Sequence, residues 1–359
     1  MRIKEFWNVP IKIDEVRVYW KRIPYYSPFV IATATIWHAD ITILIVKARN
    51  YVGIGEQYRL SREKVNEYVT EVKKLVGLAP KEVLLRTWKY PLSIEMAVLD
   101  LIAKANEIKF GELFSPMKSD RIFTDITIGI SGVETTIKEL EEAVKRGFKS
   151  FKIKVGKDLK LDKERIRRIC ERLPENTSLR IDANQGYTFE EASDFIRFIE
   201  KCIDEFGVKI DFLEQPLPKD ELEKIGKLRD ITSIPIIVDE SVKVSKDINK
   251  VKEYVDGVNL KIVKANSIIE FARAAEKARE YGLKLMVGCS GETNVGISCD
   301  AHIAIAYEFD FADLDSDLFK PDVVKKKVTL CENSYRVVKG PGIGITEDDL
   351  KLDELERIL

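Results

Sequence analysis

Apolar and polar positions alternate differently along three stretches of the chain. From residue 12 to residue 47 the period is the short one of strands, over Lys12–Tyr19, Ile31–Trp37 and Thr42–Lys47. The most apolar run, Ser27 to Ala48, is broken by His38 and Asp40. It therefore reads as two strands of a hairpin and not as a membrane span. Gly53-Ile54-Gly55-Glu56 reads as a turn. From 61 to about 118 the period becomes helical. Val65, Val69, Val72 and Leu75 share one face, and Ile94, Ala97, Val98, Leu101 and Ile102 share another. Strands followed by helices predict a small α+β domain, residues 1–122.

From residue 123 the texture changes. Short apolar runs alternate with amphipathic stretches at a spacing of roughly 25 to 30 residues. The runs are Asp125–Ile130, Ser150–Val155, Ser178–Asp182, Lys209–Glu214, Pro235–Glu240, Gly257–Ile262, Lys284–Gly288 and Phe311–Leu314. Helical patterns such as Val133–Arg146 and Phe189–Lys201 lie between them. This is an α/β pattern. An open doubly wound sheet fits it, but eight regular units favour a closed (β/α) barrel over residues 123–320. The tail, 321–359, returns to short strands and turns and is expected to pack back on the N-terminal unit.

Composition narrows the partners. Lysine plus arginine number 59 against 60 aspartates plus glutamates, a net charge of -1. That balance gives no reason to expect nucleic acid or an acidic membrane. The five cysteines, Cys170, Cys202, Cys289, Cys299 and Cys331, form no C-x-x-C pair and are odd in number. A disulfide framework and structural zinc are therefore not expected, and a reducing, cytoplasmic setting is. The abundance of Lys, Glu and Ile suits heat adaptation.

In such barrels functional groups sit at the C-terminal ends of strands. Three consecutive runs end in carboxylates: Asp182 in Asp-Ala-Asn, Glu214 in Glu-Gln-Pro and Asp239 in Asp-Glu-Ser. Their gaps, 214 − 182 = 32 and 239 − 214 = 25, are about one strand-helix unit each. In a barrel the three side chains converge, and they cannot all stay ionised without a cation. All-oxygen ligation suits Mg2+, with Mn2+ the alternative. Run two carries Lys152 and Lys154 two apart, hence on one face, with Phe151, Ile153 and Val155 on the other. Run six carries Lys261. A substrate between them meets a lysine on each side. That arrangement suits removal of a proton alpha to a carboxylate, the resulting enediolate being stabilised by the metal and a cationic Lys152. Histidine is nearly excluded as a catalyst: only His38 and His302 exist, and His302 falls in a helical stretch.

These motifs resemble the enolase superfamily, in the subgroup of muconate-lactonising enzymes. Gly-x-Gly-Glu (Gly53 to Glu56), Lys-x-Lys, Asp-x-Asn, Glu-Gln-Pro, Asp-Glu-Ser and the run-six lysine match in order and spacing over nearly the whole chain. The resemblance implies a modified (β/α)7β TIM-like barrel under an α+β capping domain. It implies Mg2+ on Asp182, Glu214 and Asp239, Lys154 and Lys261 as the acid/base pair, and Lys152 on the substrate carboxylate. Asp313-Leu314-Asp315 resembles the Asp-x-Asp of dipeptide epimerases, where two carboxylates bind a free α-ammonium. By the same resemblance Thr127, Cys289 and Gly291 line the substrate site. Members of such families commonly assemble, which leaves a homo-oligomer open.

The chain also departs from that pattern. Ala265-Asn266 stands where Gly-Gly is usual, and Ser290-Gly291 precedes Glu292 where larger residues are usual. Ala34 occupies the place of the arginine that marks epimerases for acidic dipeptides, while Tyr25, Tyr26 and Trp37 lie near the same loop and Asp317 adds negative charge at the mouth. The expectation is an epimerase of L,L- to L,D-dipeptides with an apolar, aromatic or cationic second residue. The competing readings are a cycloisomerase or dehydratase of muconate or o-succinylbenzoate type, and a non-catalytic metal-binding relative. Asp313 and Asp315 weigh against an anionic diacid.

Overall fold

The computed structural model describes residues 1–86, 91–325 and 340–359, together with the backbone of 329–331 and 334–336. Strands β1 (Glu15–Ile31), β2 (Ala34–Ala48) and β3 (Tyr51–Tyr58) form an antiparallel sheet. The hairpin expected over Ser27 to Ala48 is present but longer, because its first strand runs back to Glu15 and takes in much of the strand expected at Lys12–Tyr19. Its turn, Ala32-Thr33, falls inside the run read as Ile31–Trp37, and the pairing slips between Pro24 and Phe29. The stretch read as a turn, Gly53 to Glu56, is the middle of β3 instead. Its glycines are there for packing: a Cβ on Gly53 would lie 1.9 Å from the Ala97 carbonyl oxygen, and one on Gly55 2.0 Å from that of Ser93. The helix Leu92–Ala105 thus lies almost on the strand, and it is buried on every side from Leu92 to Ala103.

After the short β4 (Arg121–Phe123), eight parallel strands follow: β5 (Ile126–Ile128), β6 (Ser150–Lys154), β7 (Ser178–Asp182), β8 (Lys209–Glu214), β9 (Ile236–Val238), β10 (Gly257–Leu260), β11 (Lys284–Gly288) and β12 (Phe311–Asp313). They pair in sequence order, and a parallel bridge from Thr124 to Ala312 brings the first strand to the last. Apolar residues face the surrounding helices, such as Val133–Lys145 and Phe189–Phe206, which gives the buried, Val/Ile/Leu-rich strands of a parallel barrel. The lower interior is plugged by Phe212, Ile237 and Met286, with Phe311 against them. Arg180 completes this layer, donating to Asp125 at 2.8 Å and to the Ala312 carbonyl at 2.7 Å. The polar groups above this plug therefore face the other end of the barrel.

The tail carries β13 (Thr329–Cys331) and β14 (Ser334–Arg336), which joins β4, and β15 (Glu356–Arg357), which pairs with β1 at Tyr19 and Trp20. Cys170, Cys202, Cys289 and Cys299 are free and buried, and the Cys331 side chain lies outside the described residues. Among the described residues no helix is long and apolar enough to cross a membrane.

Candidate active site

The strand ends are fixed by their own neighbours. Register places Thr127 beside Lys152, Lys154 beside Asp182, and Asp182 beside Glu214, while Gly288 pairs with Asp313. The chain then turns sharply with non-glycine residues at positive φ: Asn184 (42°), Gln185 (69°) and Gln215 (37°). Such strain persists where surrounding bonds over-determine it. Here the Asn184 amide donates to Asp182 Oδ1 at 2.9 Å. Gln215 Oε1 accepts from the amides of Asp239 at 2.9 Å and Ser241 at 3.2 Å. The Glu-Gln-Pro and Asp-Glu-Ser motifs are thus one stitched unit. After β10, Asn266 takes the left-handed conformation (φ 51°) that ends the helix Ile262–Ala265, so the turn survives without glycine.

Above the plug lies a cavity of about 310 Å3, a size that suits a small ligand. Lys154, Asp239, Lys261, Thr127, Cys289, Asp313 and Asp315 line it. Lys154 and Lys261 come from β6 and the end of β10, the second and sixth of eight strands, hence from opposite sides. Gly288 makes room for the second lysine, since a Cβ there would lie 2.7 Å from Lys261 Cε. Asp182, Glu214 and Lys152 are fully buried beneath. Gly291 does not reach the cavity. It packs on Tyr58, where a Cβ would lie 2.6 Å from the ring, and Ser290 lines the cavity instead. The capping hairpin supplies Tyr25, Phe29, Ile31, Ala34 and Ile36. Tyr26 and Trp37 point to solvent, exposed to 71% and 63%. Asp317 is not at the mouth either: it is buried and accepts from Asn294 Nδ2 at 2.9 Å.

Lysines hold the acids together. Lys152 Nζ stands 3.1 Å from Asp182, 2.9 Å from Glu214 and 2.7 Å from Asp313. Lys154 Nζ is 2.6 Å from Asp182 Oδ2, and Lys261 Nζ is 3.1 Å from Asp239 Oδ2. Sequence reading missed Lys264, which bonds the Asp239 carboxylate and carbonyl and reaches the carbonyls of Val242 and Asn259. Its signal was the Lys-x-x-Lys spacing after β10. Burial pushes Asp182 up, but Lys154 and Lys152 outweigh it and hold the carboxyl below its usual range. Lys261 and Lys264 do the same for Asp239, and Lys152 leads in holding Asp313 down. Burial acts against the charge of Lys261, yet Asp239 keeps it well above its usual value. Glu214 is raised, by burial first and then by Asp182. Glu240 and Asp315 are pushed up to about 7, by burial and then by Asp239 and Asp313 respectively.

These charges do not balance. Counted formally, six carboxyls (Asp182, Glu214, Asp239, Glu240, Asp313, Asp315) meet four ammoniums (Lys152, Lys154, Lys261, Lys264), an excess of acids that Glu240 and Asp315 relieve only in part by holding protons near neutral pH. Among the described residues, four buried oxygens of this cluster, Glu214 Oε2, Asn184 Oδ1, Glu240 Oε2 and Asn259 Oδ1, have no hydrogen-bond partner, although the first lies within ion-pair distance of Lys152. An all-oxygen set short of positive charge fits a divalent cation on Asp182, Glu214 and Asp239. In this structure the three carboxylates are spread around the lysines. The tighter grouping of donor atoms is Cys289, Asp313 and Asp315, all within 4.8 Å of one another.

Residues 135–351 match the family described as enolase C-terminal domain-like. The chain is 31% identical over 337 residues to the L-Ala-D/L-Glu epimerase of Thermotoga maritima, covering 88% of this chain and 96% of that protein. Its fold is similar to the substrate-liganded L-Ala-D/L-Glu epimerase of Bacillus subtilis, with TM-score 0.84, 28% identity and coverage of 93% and 98% of the two chains. It is similar as well to the dipeptide epimerase of Enterococcus faecalis complexed with Mg and L-Leu-L-Tyr, with TM-score 0.83, 27% identity and coverage of 94% and 100%. With its eight-stranded barrel, its capping sheet and this match, the chain belongs to the enolase superfamily.

Proposed function

We propose that this protein is a Mg2+-dependent dipeptide epimerase that inverts the Cα of the second residue by 1,1-proton transfer. One observation carries the reading: Lys154 and Lys261 reach a single cavity from opposite strands, above three strand-end carboxylates and opposite Asp313 and Asp315. Asp182, Glu214 and Asp239 would hold Mg2+, with Mn2+ the alternative. Bound there, the cation would supply positive charge against the substrate carboxylate as negative charge develops. Lys154 takes the Cα proton on one face and Lys261 delivers one on the other, with the roles exchanged in the reverse direction. Lys152, charged and buried beneath, stabilises the enediolate electrostatically. Asp313 and Asp315 take the α-ammonium of the first residue, and the Thr127 amide fixes Asp315 at 2.6 Å. Cys289 and Ser290 bound that end of the site.

The wall made by Tyr25, Phe29, Ile31, Ala34 and Ile36 is apolar, and no guanidinium stands at Ala34; Arg59 also lines the cavity, with its guanidinium 5.3 Å from the Tyr58 ring centroid. An apolar or aromatic second side chain fits it, in line with the L-Leu-L-Tyr bound by the Enterococcus relative. A diacid substrate, as a cycloisomerase or dehydratase would need, meets Asp313 and Asp315 with like charge. The same reading divides the chain into a capping unit, 1–122 completed by 321–359, and a barrel unit, 123–320. The test is chiral separation of a dipeptide library after incubation with enzyme and Mg2+. L,D-products from L,L-dipeptides with apolar second residues are expected, and a library left unchanged by Mg2+-loaded enzyme would overturn the reading.

A further inference from the structure

The grouping of Cys289, Asp313 and Asp315 offers one sulfur and two carboxylate oxygens within 4.8 Å, from the ends of two adjacent barrel strands. All three residues are buried, yet all three line the open cavity, so an ion can reach them. Their outer atoms are already engaged. Lys152 holds Asp313 Oδ2 at 2.7 Å, and the Thr127 amide holds Asp315 Oδ2 at 2.6 Å. The Thr127 hydroxyl touches Asp313 Oδ1 only at 3.4 Å, and Asp315 Oδ1 faces Cys289 Sγ at 3.8 Å. Each residue thus has one donor atom near those of the other two, and each aspartate has its second oxygen held from outside the group, as outer bonds orient metal ligands. For tetrahedral zinc with one sulfur and one oxygen ligand, the bond lengths place those atoms roughly 3.6 Å apart. The Sγ–Oδ1 separation of 3.8 Å, now spanned by a thiol hydrogen bond, is close to that, while the remaining pairs lie within 4.8 Å.

We propose that Cys289, Asp313 and Asp315 form a second metal site, selective for thiophilic divalent ions such as Zn2+ and Cd2+, whose occupation shuts the substrate pocket. Selectivity follows from the donor set. A thiolate discriminates against Mg2+, which prefers oxygen, while the carboxylates of β7, β8 and β9 discriminate the other way. Burial beside Asp313 and Asp315 pushes the Cys289 thiol up, so it enters as a thiol, and the ion displaces its proton to solvent. Three protein ligands leave the fourth position to water. The site coincides with the carboxylates assigned above to the substrate α-ammonium, so competition with dipeptide rests on that assignment. Binding of the ion does not.

The test is titration of Mg2+-saturated enzyme with Cd2+, read by the ultraviolet thiolate-to-cadmium charge-transfer band without substrate. The band should saturate at one equivalent and vanish in Cys289→Ser. Asp315→Asn, a second and milder variant, should keep the band and weaken binding at least about 10-fold. Cd2+ on oxygen ligands alone gives no such band. Its absence from the parent, or its persistence in Cys289→Ser, would overturn the site. Zn2+ should then raise the KM of a dipeptide without lowering kcat. Zn2+ inhibition that lowers kcat at unchanged KM, with the band intact, would overturn the competition and keep the site. A band in an enzyme that epimerises no dipeptide would count against the substrate assignment alone.

Discussion

The guanidinium of Arg165 donates to the carbonyl oxygen of Lys154 at 2.7 Å, although Arg165 belongs to a helix outside the barrel, Leu159–Cys170. It also donates to the Gly129 carbonyl at 2.7 Å and the Thr136 hydroxyl at 2.8 Å. Asp162, 3.4 Å away, accepts from the Gly156 amide at 2.8 Å and the Tyr187 hydroxyl at 2.9 Å. One buried clamp therefore joins the segments that follow β5, β6 and β7, with Lys154 at its centre. Arg165→Met keeps the volume and strands Asp162, a loss of about 3–5 kcal/mol. A lysine displaced by about 1 Å lowers kcat by up to about 100-fold. Thermal unfolding and steady-state kinetics check both. Lost stability with unchanged kcat would leave the clamp a purely structural device.

Recognition of the α-ammonium makes a second prediction. A bond between a buried carboxylate and a cation contributes about 1.5–3 kcal/mol. N-acetylation of the dipeptide, or Asp315→Asn, should therefore lower kcat/KM by about 10- to 150-fold. The two changes combined should cost little more than either alone. Equal turnover of free and acetylated dipeptides by the parent enzyme would remove Asp313 and Asp315 from that role.

Ala34 sets the third. It is exposed at the cavity wall, so Ala34→Arg should change stability by less than about 0.5 kcal/mol. A guanidinium there should raise kcat/KM for L-Ala-L-Glu at least about 10-fold and lower it for apolar second residues, by charge pairing with one and desolvation against the other. Unchanged preference would place the second side chain elsewhere.

Much of this site was legible in the chain, and the reasons are physical. Period 2 turned Lys152 and Lys154 inward, and β7, β8 and β11 run over the residues their apolar runs predicted, because fully buried strands are continuous apolar stretches. The turn of the hairpin was misplaced because Ala32-Thr33 carries no Gly, Pro, Asn or Asp to mark it. The Gly53–Gly55 strand was misread because its glycines serve contact with Ala97 and Ser93, which no local pattern shows. Arg165 and Asp162 carry no local signal that sets them apart from other helix charges, and Lys264 has only its spacing from Lys261. Only the tertiary structure puts them against Lys154 and Asp239.

Glu95 links the helix Leu92–Ala105 to the barrel, accepting from the Ile269 amide at 2.8 Å and the Ser267 hydroxyl at 3.3 Å. Burial pushes its carboxyl up to about 7 against those bonds, from an ordinary value of 4.5. Between these values the folded protein keeps the proton and the unfolded chain has lost it. Stability therefore falls as pH rises from about 4.5 to 7 and levels off above, by on the order of 3 kcal/mol. Glu95→Gln should flatten that slope in denaturant titrations at pH 5 and pH 7.5. Glu56, also pushed up to about 7, leaves a residual slope.

The most direct test of two-lysine proton transfer is mass-spectrometric deuterium uptake in heavy water with Mg2+, using an L,L-dipeptide and its L,D-isomer with an apolar second residue. The parent enzyme should label the second Cα of both isomers. Lys154→Ala and Lys261→Ala should each slow epimerisation by about 100- to 10000-fold. Each variant should still exchange one isomer, and the two variants opposite ones. Labelling of neither isomer by Mg2+-loaded parent enzyme, or of both at full rate by either lysine variant, would contradict the account.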